Sequence, residues 1–514
     1  MRQKQEADAF ALAVGQLDNE LPLTWQLYQA LQQAVLQRRL PPGLRLPSTR
    51  DMAQLLGVSR NTVMNGVGQL VAEGYLETVP KSGTYVARRL PEEMLHVAEK
   101  EARLREQQVG ERNKRPLSPQ GQQLRDTQEV FGKTAVSYPT FVTGIPDLAA
   151  FPFDLWGRLV SKQYRQGKRE LFGEVGHGSV GYLPLRQAIA TYLQTARGVR
   201  CQPEHVLIIN GSQQGLYLAA HILLEPGAQV WVEEPGYLGA RAALGSTGAT
   251  LVPVPVGAEG LEVAQGVAIA PTARCAYVTP SHQYPLGSTM SLANRIALLN
   301  WAEESGAWII EDDYDSEYRY SGQPLPSLQG LDQNGRVIYV GTFSKVMFPS
   351  LRLGYLVVPP DLVAPLARLR ALVDSHTPTA VQGAMAEFIV EGHFVRHIRR
   401  MRQLYGARRV YFAEAAAREL GDGLHLNETE AGMHVVGWLP SGVDDRAVVL
   451  AAQRQQVTVK SLSSHYLGDC PRPGLVLGVM GVAETAVSPA LIRLRKAIES
   501  ASYKAGKRMY NRSV

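Results

Sequence analysis

Cysteine is scarce in this chain. Cys201, Cys275 and Cys470 are the only three among 514 residues, and they stand far apart. That spacing excludes a cysteine metal cluster and a disulfide framework, and it points to a reducing cytoplasm. An excess of one charge is lacking too: 53 basic residues face 47 acidic ones, for a net charge of +6. Such a balance tolerates a polyanionic partner without demanding one. No uninterrupted apolar stretch is long enough to cross a bilayer, which argues against a membrane partner. The opening Met1-Arg2-Gln3-Lys4-Gln5-Glu6 has no apolar core of the signal-peptide kind. No internal repeat is visible. What is present is an ordinary globular composition on a chain too long for one core, so two or more domains are expected.

Residues 21–88 read as one small module. Leu27, Leu31, Ala34, Val35 and Leu36 recur at helical spacing, and Pro41-Pro42-Gly43 ends that helix. Ser48 is placed to cap a second helix, with Asp51 at the reciprocal capping position. After the turn Gly57-Val58, Ser59 caps a third helix over 60–73, closed by Gly74. Residues 76–79 and 84–87 alternate like strands around Lys81-Ser82-Gly83, which makes a hairpin wing. Two helices joined by a short glycine turn, the second polar on one face, fit a helix-turn-helix. Arg60, Asn61, Thr62 and Asn65 then project toward a major groove of double-stranded operator DNA. Ser48, Ser59 and Thr62 suit phosphate oxygens, and Arg45, Arg50, Lys81 and Ser82 add phosphate contacts. Lys81 and Gly83 at the wing tip can reach a minor groove.

Composition changes over 89–137, where Glu, Arg and Gln dominate. Residues 92–106 fit a solvated helix, and 113–126, with Pro116 and Pro119, fit a flexible linker. From 138 to 503 short apolar runs alternate with helix-compatible stretches. The runs are Val206-Leu207-Ile208-Ile209, Val230-Trp231-Val232, Ala276-Tyr277-Val278, Trp308-Ile309-Ile310 and Val337-Ile338-Tyr339-Val340. The pattern predicts an α/β domain, a mostly parallel sheet with helices on both faces. Ligands of such sheets sit at the carboxyl ends of the strands, which is where the chemically loaded residues fall. Residues 504–514 form a basic tail, expected to fray.

Lys345 carries the most information. It closes the run Gly341-Thr342-Phe343-Ser344-Lys345, and Arg352 follows seven residues on. An amine flanked by hydroxyls and followed by a fixed cation is what pyridoxal 5'-phosphate needs. The amine forms a Schiff base with the aldehyde, and Thr342, Ser344 and Arg352 hold the phosphate. Gly211-Ser212-Gln213-Gln214 opens a helix after a strand, where backbone N–H groups and the side chains of Ser212 and Gln213 favour an anion. In Glu311-Asp312-Asp313-Tyr314-Asp315, Asp312 is assigned to the pyridine nitrogen and Tyr314 to the ring's phenolic oxygen. Tyr237, after Pro235-Gly236, is placed to stack on the ring. Arg241, one helical turn further, is a candidate for an effector carboxylate. His282 or a neighbour in 279–287 would reach the ring oxygen or the effector. No metal site is expected.

The string Leu40-Pro41-Pro42-Gly43-Leu44-Arg45-Leu46-Pro47-Ser48-Thr49-Arg50, with Leu56-Gly57-Val58-Ser59-Arg60-Asn61-Thr62-Val63 and the wing Ser82-Gly83-Thr84-Tyr85-Val86, resembles the winged helix of the GntR family. Gly66-Val67-Gly68 stands where that family usually has an Ala-Tyr pair, which implies a weaker third helix. The strings at 181–190, 234–237, 279–287, 310–317, 341–345, 351–355 and 397–405 resemble the aminotransferase-like half of fold-type I pyridoxal phosphate proteins. They are closer still to the MocR/GabR regulators, which fuse that half to a GntR winged helix. The resemblance covers nearly the whole chain outside the linker. It implies a multidomain fold: a winged helix-turn-helix plus an α/β fold-type I domain with a smaller C-terminal α+β subdomain. It implies a transcriptional regulator that senses an amine or amino acid, or the vitamin itself, through an aldimine at Lys345. It also implies a head-to-tail homodimer, and it gives Lys345, Asp312, Tyr314, Thr342, Ser344, Arg352, Ser212, Gln213 and Arg241 the roles named above.

Two departures bear on chemistry. Aminotransferases usually carry an arginine near the C-terminus for the substrate carboxylate, whereas 474–481 reads Gly-Leu-Val-Leu-Gly-Val-Met-Gly and Arg472 is out of register. At most residual transaminase activity is expected. A tyrosine that often reaches a neighbouring subunit's phosphate would fall near Gly176 or His177, and none is there. The rival reading is an active aminotransferase with an appended DNA-binding module.

Overall fold

The computed structural model describes residues 10, 14, 21–90, 117–118, 121–122, 140–173, 178–321, 326–427 and 429–510, with backbone alone from 503 to 510. The chain divides into two units, 1–117 and 118–514. The solvated helix expected at 92–106 and most of the linker expected at 113–126 lie outside the described residues, as do Gly176 and His177.

Over residues 21–90 of the first unit, helices α1 (Leu23–Leu36), α2 (Thr49–Leu56) and α3 (Arg60–Ala72) precede a hairpin of β1 (Leu76–Val79) and β2 (Gly83–Val86). Local chemistry sets the boundaries. The Ser48 hydroxyl accepts from the Asp51 N–H at 3.2 Å and donates to the Asp51 carboxylate at 2.7 Å. Gly57, left-handed at φ 65°, ends α2. The Ser59 hydroxyl accepts from the Thr62 N–H and opens α3. Leu27, Leu31, Val63, Leu70 and Val86 form the core, which also takes in Phe10 and Val14 upstream of residue 21. The wing is tied to that core by main-chain bonds from Leu46 to Thr84 and from Val86 to Leu44.

The weak spot expected in α3 is bridged by packing. Gly66 is buried against α1, where an added Cβ would lie 3.5 Å from the Thr24 carbonyl and 3.6 Å from Leu27, and the helix runs through it unbroken.

The second unit holds an eight-stranded sheet in the order β3-β10-β9-β8-β7-β4-β5-β6. The strands are β3 (Val206–Ile209), β4 (Gln229–Glu234), β5 (Thr250–Gly257), β6 (Gly260–Leu261), β7 (Cys275–Val278), β8 (Trp308–Asp313), β9 (Val337–Thr342) and β10 (Gly354–Val357). The run from β9 through β8, β7 and β4 to β5 is parallel; β10 and β6 pair antiparallel with their neighbours. Alternation along β3 shows both faces covered. Val206 and Ile208 join a core with Leu185, Ile189 and Phe388; Leu207 and Ile209 join another with Leu216, Ala240 and Leu366. Burial on both sides explains why these strands are continuous apolar runs.

A smaller antiparallel sheet follows in the order β11-β12-β14-β13. It comprises β11 (His425–Leu426), β12 (His434–Trp438), β13 (Lys460–Ser461) and β14 (Gly474–Gly478). Val435, Leu475 and Leu477 pack on one face with Phe412, Leu491 and Leu494 of two long helices, His393–Leu420 and Glu484–Tyr510. The second helix runs through most of the tail expected to fray, because each turn added to a packed helix needs only one residue fixed per hydrogen bond. Among the described residues no helix is long and apolar enough to cross a membrane.

Gly68 lies exposed in α3 with nothing within 4 Å of an added Cβ. Gly68→Ala should therefore stabilise the isolated winged-helix unit by about 0.5–1 kcal/mol, since a helix-interior glycine costs roughly that much. Urea denaturation followed by circular dichroism reads this, and an unchanged midpoint would contradict it.

Candidate functional site

The DNA-reading candidates share the exposed surface of the first unit. Arg45, Ser48, Arg50, Ser59, Arg60, Asn61, Asn65 and Lys81 are exposed. Arg60 at the start of α3 points its Nε at the Thr49 hydroxyl, 3.4 Å away at the start of α2, so the two helix N-termini lie together. Ser48, Ser59 and Thr62 spend hydroxyl groups on these caps, and each N-terminus keeps first-turn N–H groups that favour an anion. At the wing, Lys81 takes φ 62° and Ser82 bonds the Tyr85 hydroxyl at 2.6 Å. The Arg45 side chain lies over Gly83, with Nε 3.1 Å from where a Cβ would stand.

In the second unit the end of β8 carries three carboxylates in a row, and the pleat separates them. Glu311 accepts from the N–H groups of Leu328 and Gln329, both at 2.8 Å. Asp313 meets Arg197 Nε at 2.8 Å and the Tyr339 hydroxyl at 2.5 Å. Asp312 faces the other way. One of its oxygens accepts from the Tyr277 hydroxyl at 2.9 Å, and Oδ1 is buried with no partner. Burial lifts this carboxyl to about 7, although the Tyr277 hydrogen bond pulls the other way.

The Lys345 amine donates to the Gly144 carbonyl at 3.1 Å. Gly144 has φ 73°, and a Cβ there would sit 2.4 Å from Nζ, so only glycine lets the main chain come this close. Burial pushes the amine below its ordinary value; the Lys460 charge adds to this, against Asp315 and Asp312. Beside it the Ser344 hydroxyl is buried without a partner, and the Thr342 hydroxyl accepts from the Ser344 N–H at 3.2 Å. Arg352, left-handed at φ 51°, donates to the Asn210 carbonyl at 2.9 Å. Its guanidinium stands 3.3 Å from the position of a Cβ on Gly211, the residue that precedes the helix Ser212–Leu223. Arg352, Ser212 and Gln213 thus meet at one helix N-terminus.

Gln213 departs from expectation. It turns its amide onto the Gly239 carbonyl at 2.8 Å, so what it offers the helix end is its main-chain N–H.

Three aromatic rings line the space between. Tyr237 and Tyr284 meet edge to face at 5.8 Å, and Tyr284 meets Tyr314 the same way at 6.0 Å. The Tyr314 hydroxyl, expected on a ring oxygen, pairs with His282 Nδ1 at 2.9 Å. His282, expected to reach the ring oxygen or the effector, lies behind Tyr314 in a buried pair with Asp315 at 3.1 Å. A loop histidine with a buried carboxylate in reach is drawn to it, because an unpaired ring N–H would be costly there. His434 completes a group whose ligand atoms lie within 4.8 Å. Within it His282 and Asp315 hydrogen-bond each other directly, and His434 Nε2 bonds the Pro285 carbonyl at 3.0 Å.

Arg241, the expected effector contact, is buried. Its Nη2 meets Glu234 at 2.5 Å and the Glu233 carbonyl at 2.9 Å, while Nε and Nη1 have no partner. A guanidinium in a dry site takes the nearest carboxylate first. Arg472 lies over the Trp438 ring, 4.7 Å from its centroid, and no arginine stands on β14.

Tyr277, Gly144, Asn210 and Tyr284 escaped the sequence reading as site residues. Tyr277 had a usable signal, an aromatic in a strand ending near the same edge as the acids. Gly144 had none, since its role exists only through Lys345.

The residues present fit pyridoxal phosphate. A buried carboxylate oxygen without a donor suits a protonated ring nitrogen, and an orphaned serine hydroxyl and an arginine at a helix N-terminus suit a phosphate. Fold and site together define an aminotransferase-like protein that carries a winged helix on the same chain. Residues 169–470 match the family Aminotransferase class I and II, and 23–86 match the Bacterial regulatory proteins, gntR family. The chain is 40% identical over 480 residues to the probable rhizopine catabolism regulatory protein MocR of Rhizobium meliloti, covering 93% of this chain and 94% of that one. It is 32% identical over 461 residues to the pyridoxine biosynthesis transcriptional regulator PdxR of Corynebacterium glutamicum, covering 88% and 91%. Among solved structures, the α-aminoadipate aminotransferase LysN of Thermus thermophilus superposes with a TM-score of 0.67 at 26% identity, over 75% of this chain and 98% of that one. The chain belongs to the MocR-type transcriptional regulators, in which a gntR-family DNA-binding head is joined to a class I and II aminotransferase domain.

Burial holds the Asp312 carboxyl above its unfolded value. The folded protein therefore keeps a proton there, between about pH 4 and 7, that the unfolded chain releases. The stability this adds is present below that window and is lost as pH rises through it. Asp312→Asn should remove its share of the decline in the cofactor-free protein, roughly 1–3 kcal/mol between pH 5 and pH 8. Urea unfolding at the two pH values checks this; an unaltered decline would show that Asp312 is ionised when folded.

Proposed function

We propose that this regulator binds pyridoxal phosphate at Lys345 and uses that site to sense a small amine or amino acid, or the vitamin itself, while its winged helix holds an operator. The observation that carries the reading is the half-buried Lys345, its amine held on the Gly144 carbonyl in a pocket where Asp312 Oδ1 and the Ser344 hydroxyl lack partners. Bound there, pyridoxal phosphate supplies an aldehyde and an electron-withdrawing ring. Burial lowers the proton affinity of Lys345, which makes its amine available to add to a carbonyl. Asp312 would hold the ring nitrogen, with Tyr277 fixing its second oxygen. Thr342, Ser344, Arg352 and the N–H groups of Ser212 and Gln213 would hold the phosphate. Tyr237 would cover the ring, and Tyr314, steadied by His282 and Asp315, would stand at its oxygen edge.

We take 21–88 as the DNA-reading module, 89–137 as linker, 138–503 as sensor and 504–514 as a basic extension, in a head-to-tail homodimer acting in the cytoplasm. Paired heads would then favour half-sites spaced by multiples of one helical turn, roughly 10 bp. An effector shifts such a dimer between arrangements only by its difference in affinity for them. The stacking of Arg472 on Trp438, and a β14 without arginine, support at most residual transamination.

Two variants separate the modules. Arg60→Ala should weaken operator binding about tenfold or more and leave borohydride trapping of the cofactor intact. Lys345→Ala should abolish the trapped adduct and keep salt-sensitive DNA binding. Gel shifts and peptide mapping read both. Wild-type operator affinity in Arg60→Ala would take α3 out of the DNA interface, and an adduct mapped elsewhere would move the sensor away from Lys345.

A further inference from the structure

We infer that Lys460 receives the anionic group of the effector, and that the effector is a small amine bearing a carboxylate. This rests on the reading of Lys345 as the cofactor-bearing amine. Lys460 opens β13 directly opposite Val476 of β14, which is itself opposite Val436 of β12. Residues paired in this way share a face of the sheet. Val435, Leu475 and Leu477 occupy the face packed on the long helices. Lys460, Val476, Val436 and, two residues earlier, His434 therefore occupy the other.

That other face is turned toward the site. Val436 and Val476 pack with Leu286, and His434 bonds the Pro285 carbonyl. The rings of His434 and Tyr284 lie 5.1 Å apart, and Tyr284 meets both Tyr237 and Tyr314. Main-chain bonds from Thr458 to Thr140 and from Gly478 to Phe141 fasten the small sheet to the segment that ends in Gly144, the carbonyl holding Lys345.

The charges point the same way. After burial, Lys460 is the strongest influence lowering Lys345, ahead of either nearby aspartate. It also acts on the buried His434 and His465. His465 stays uncharged, pushed down to about 3 by burial, and its Nε2 has no partner. Lys460 is exposed and makes no ion pair among the described residues. Arg241, the alternative cation, is buried and held by Glu234. A ligand entering here meets the exposed Lys460 cation beside an amine whose proton affinity burial lowers. A carboxylate answers that cation, and an amino group on the same molecule competes with Lys345.

The test uses the full-length protein loaded with pyridoxal phosphate. Glycine, β-alanine, 4-aminobutanoate and 5-aminopentanoate are titrated against alkylamines of matched length, and the bound cofactor's absorbance is followed. The wild type should respond to at least one amino acid at a tenfold or more lower concentration than to its matched alkylamine. Lys460→Ala should erase that ratio and Lys460→Arg should keep it. A wild-type ratio near one for every pair overturns the proposal, as does a ratio unchanged in Lys460→Ala or lost only in Arg241→Gln. Borohydride trapping is run in parallel on the wild type. No adduct at Lys345 sinks the cofactor reading and this one together, whereas an adduct with a ratio near one sinks this one alone.

Discussion

The pleat of β8 is the constraint on which the second unit depends. Three consecutive carboxylates in a dry sheet would repel one another and resist burial unless each found its own partners. Strand geometry supplies them. Glu311 and Asp313 turn to one face, where two main-chain N–H groups and an arginine–tyrosine pair receive them. Asp312 turns to the other, where a single tyrosine leaves one oxygen uncommitted. The alternation divides them: two acids brace the sheet, and the third keeps one oxygen without a partner.

Lys345 belongs to the same arrangement. Its amine is held by a carbonyl that can approach only because residue 144 is glycine, and that carbonyl belongs to a segment zipped onto the small sheet. The two sheets therefore share one boundary, with the amine in it.

The first unit solves a simpler problem. Serines at the starts of α2 and α3 each take one first-turn N–H, and Arg60 reaches from one helix start to the other. Glycines that weaken α3 are offset by tertiary packing: Gly66 fits against α1, and Val63 and Leu70 fill the core.

Much of this was legible in the chain. The caps at Ser48 and Ser59, the wing, the central strands and the cluster around Lys345 follow from short-range rules, because capping, pleat alternation and strand-end placement act over a few residues. The partners of long side chains were not legible. His282 turned to Asp315, Gln213 to Gly239 and Arg241 to Glu234, since a buried polar atom takes whichever partner the fold brings nearest. Gly144 was illegible because its carbonyl meets Lys345 only once a residue some two hundred positions away is folded against it. The order of residues settled which groups the protein owns and where its strands and helices begin. Tertiary structure alone decided which of those groups were left unpaired, because an unmet hydrogen bond or an unanswered charge is a property of neighbours in space.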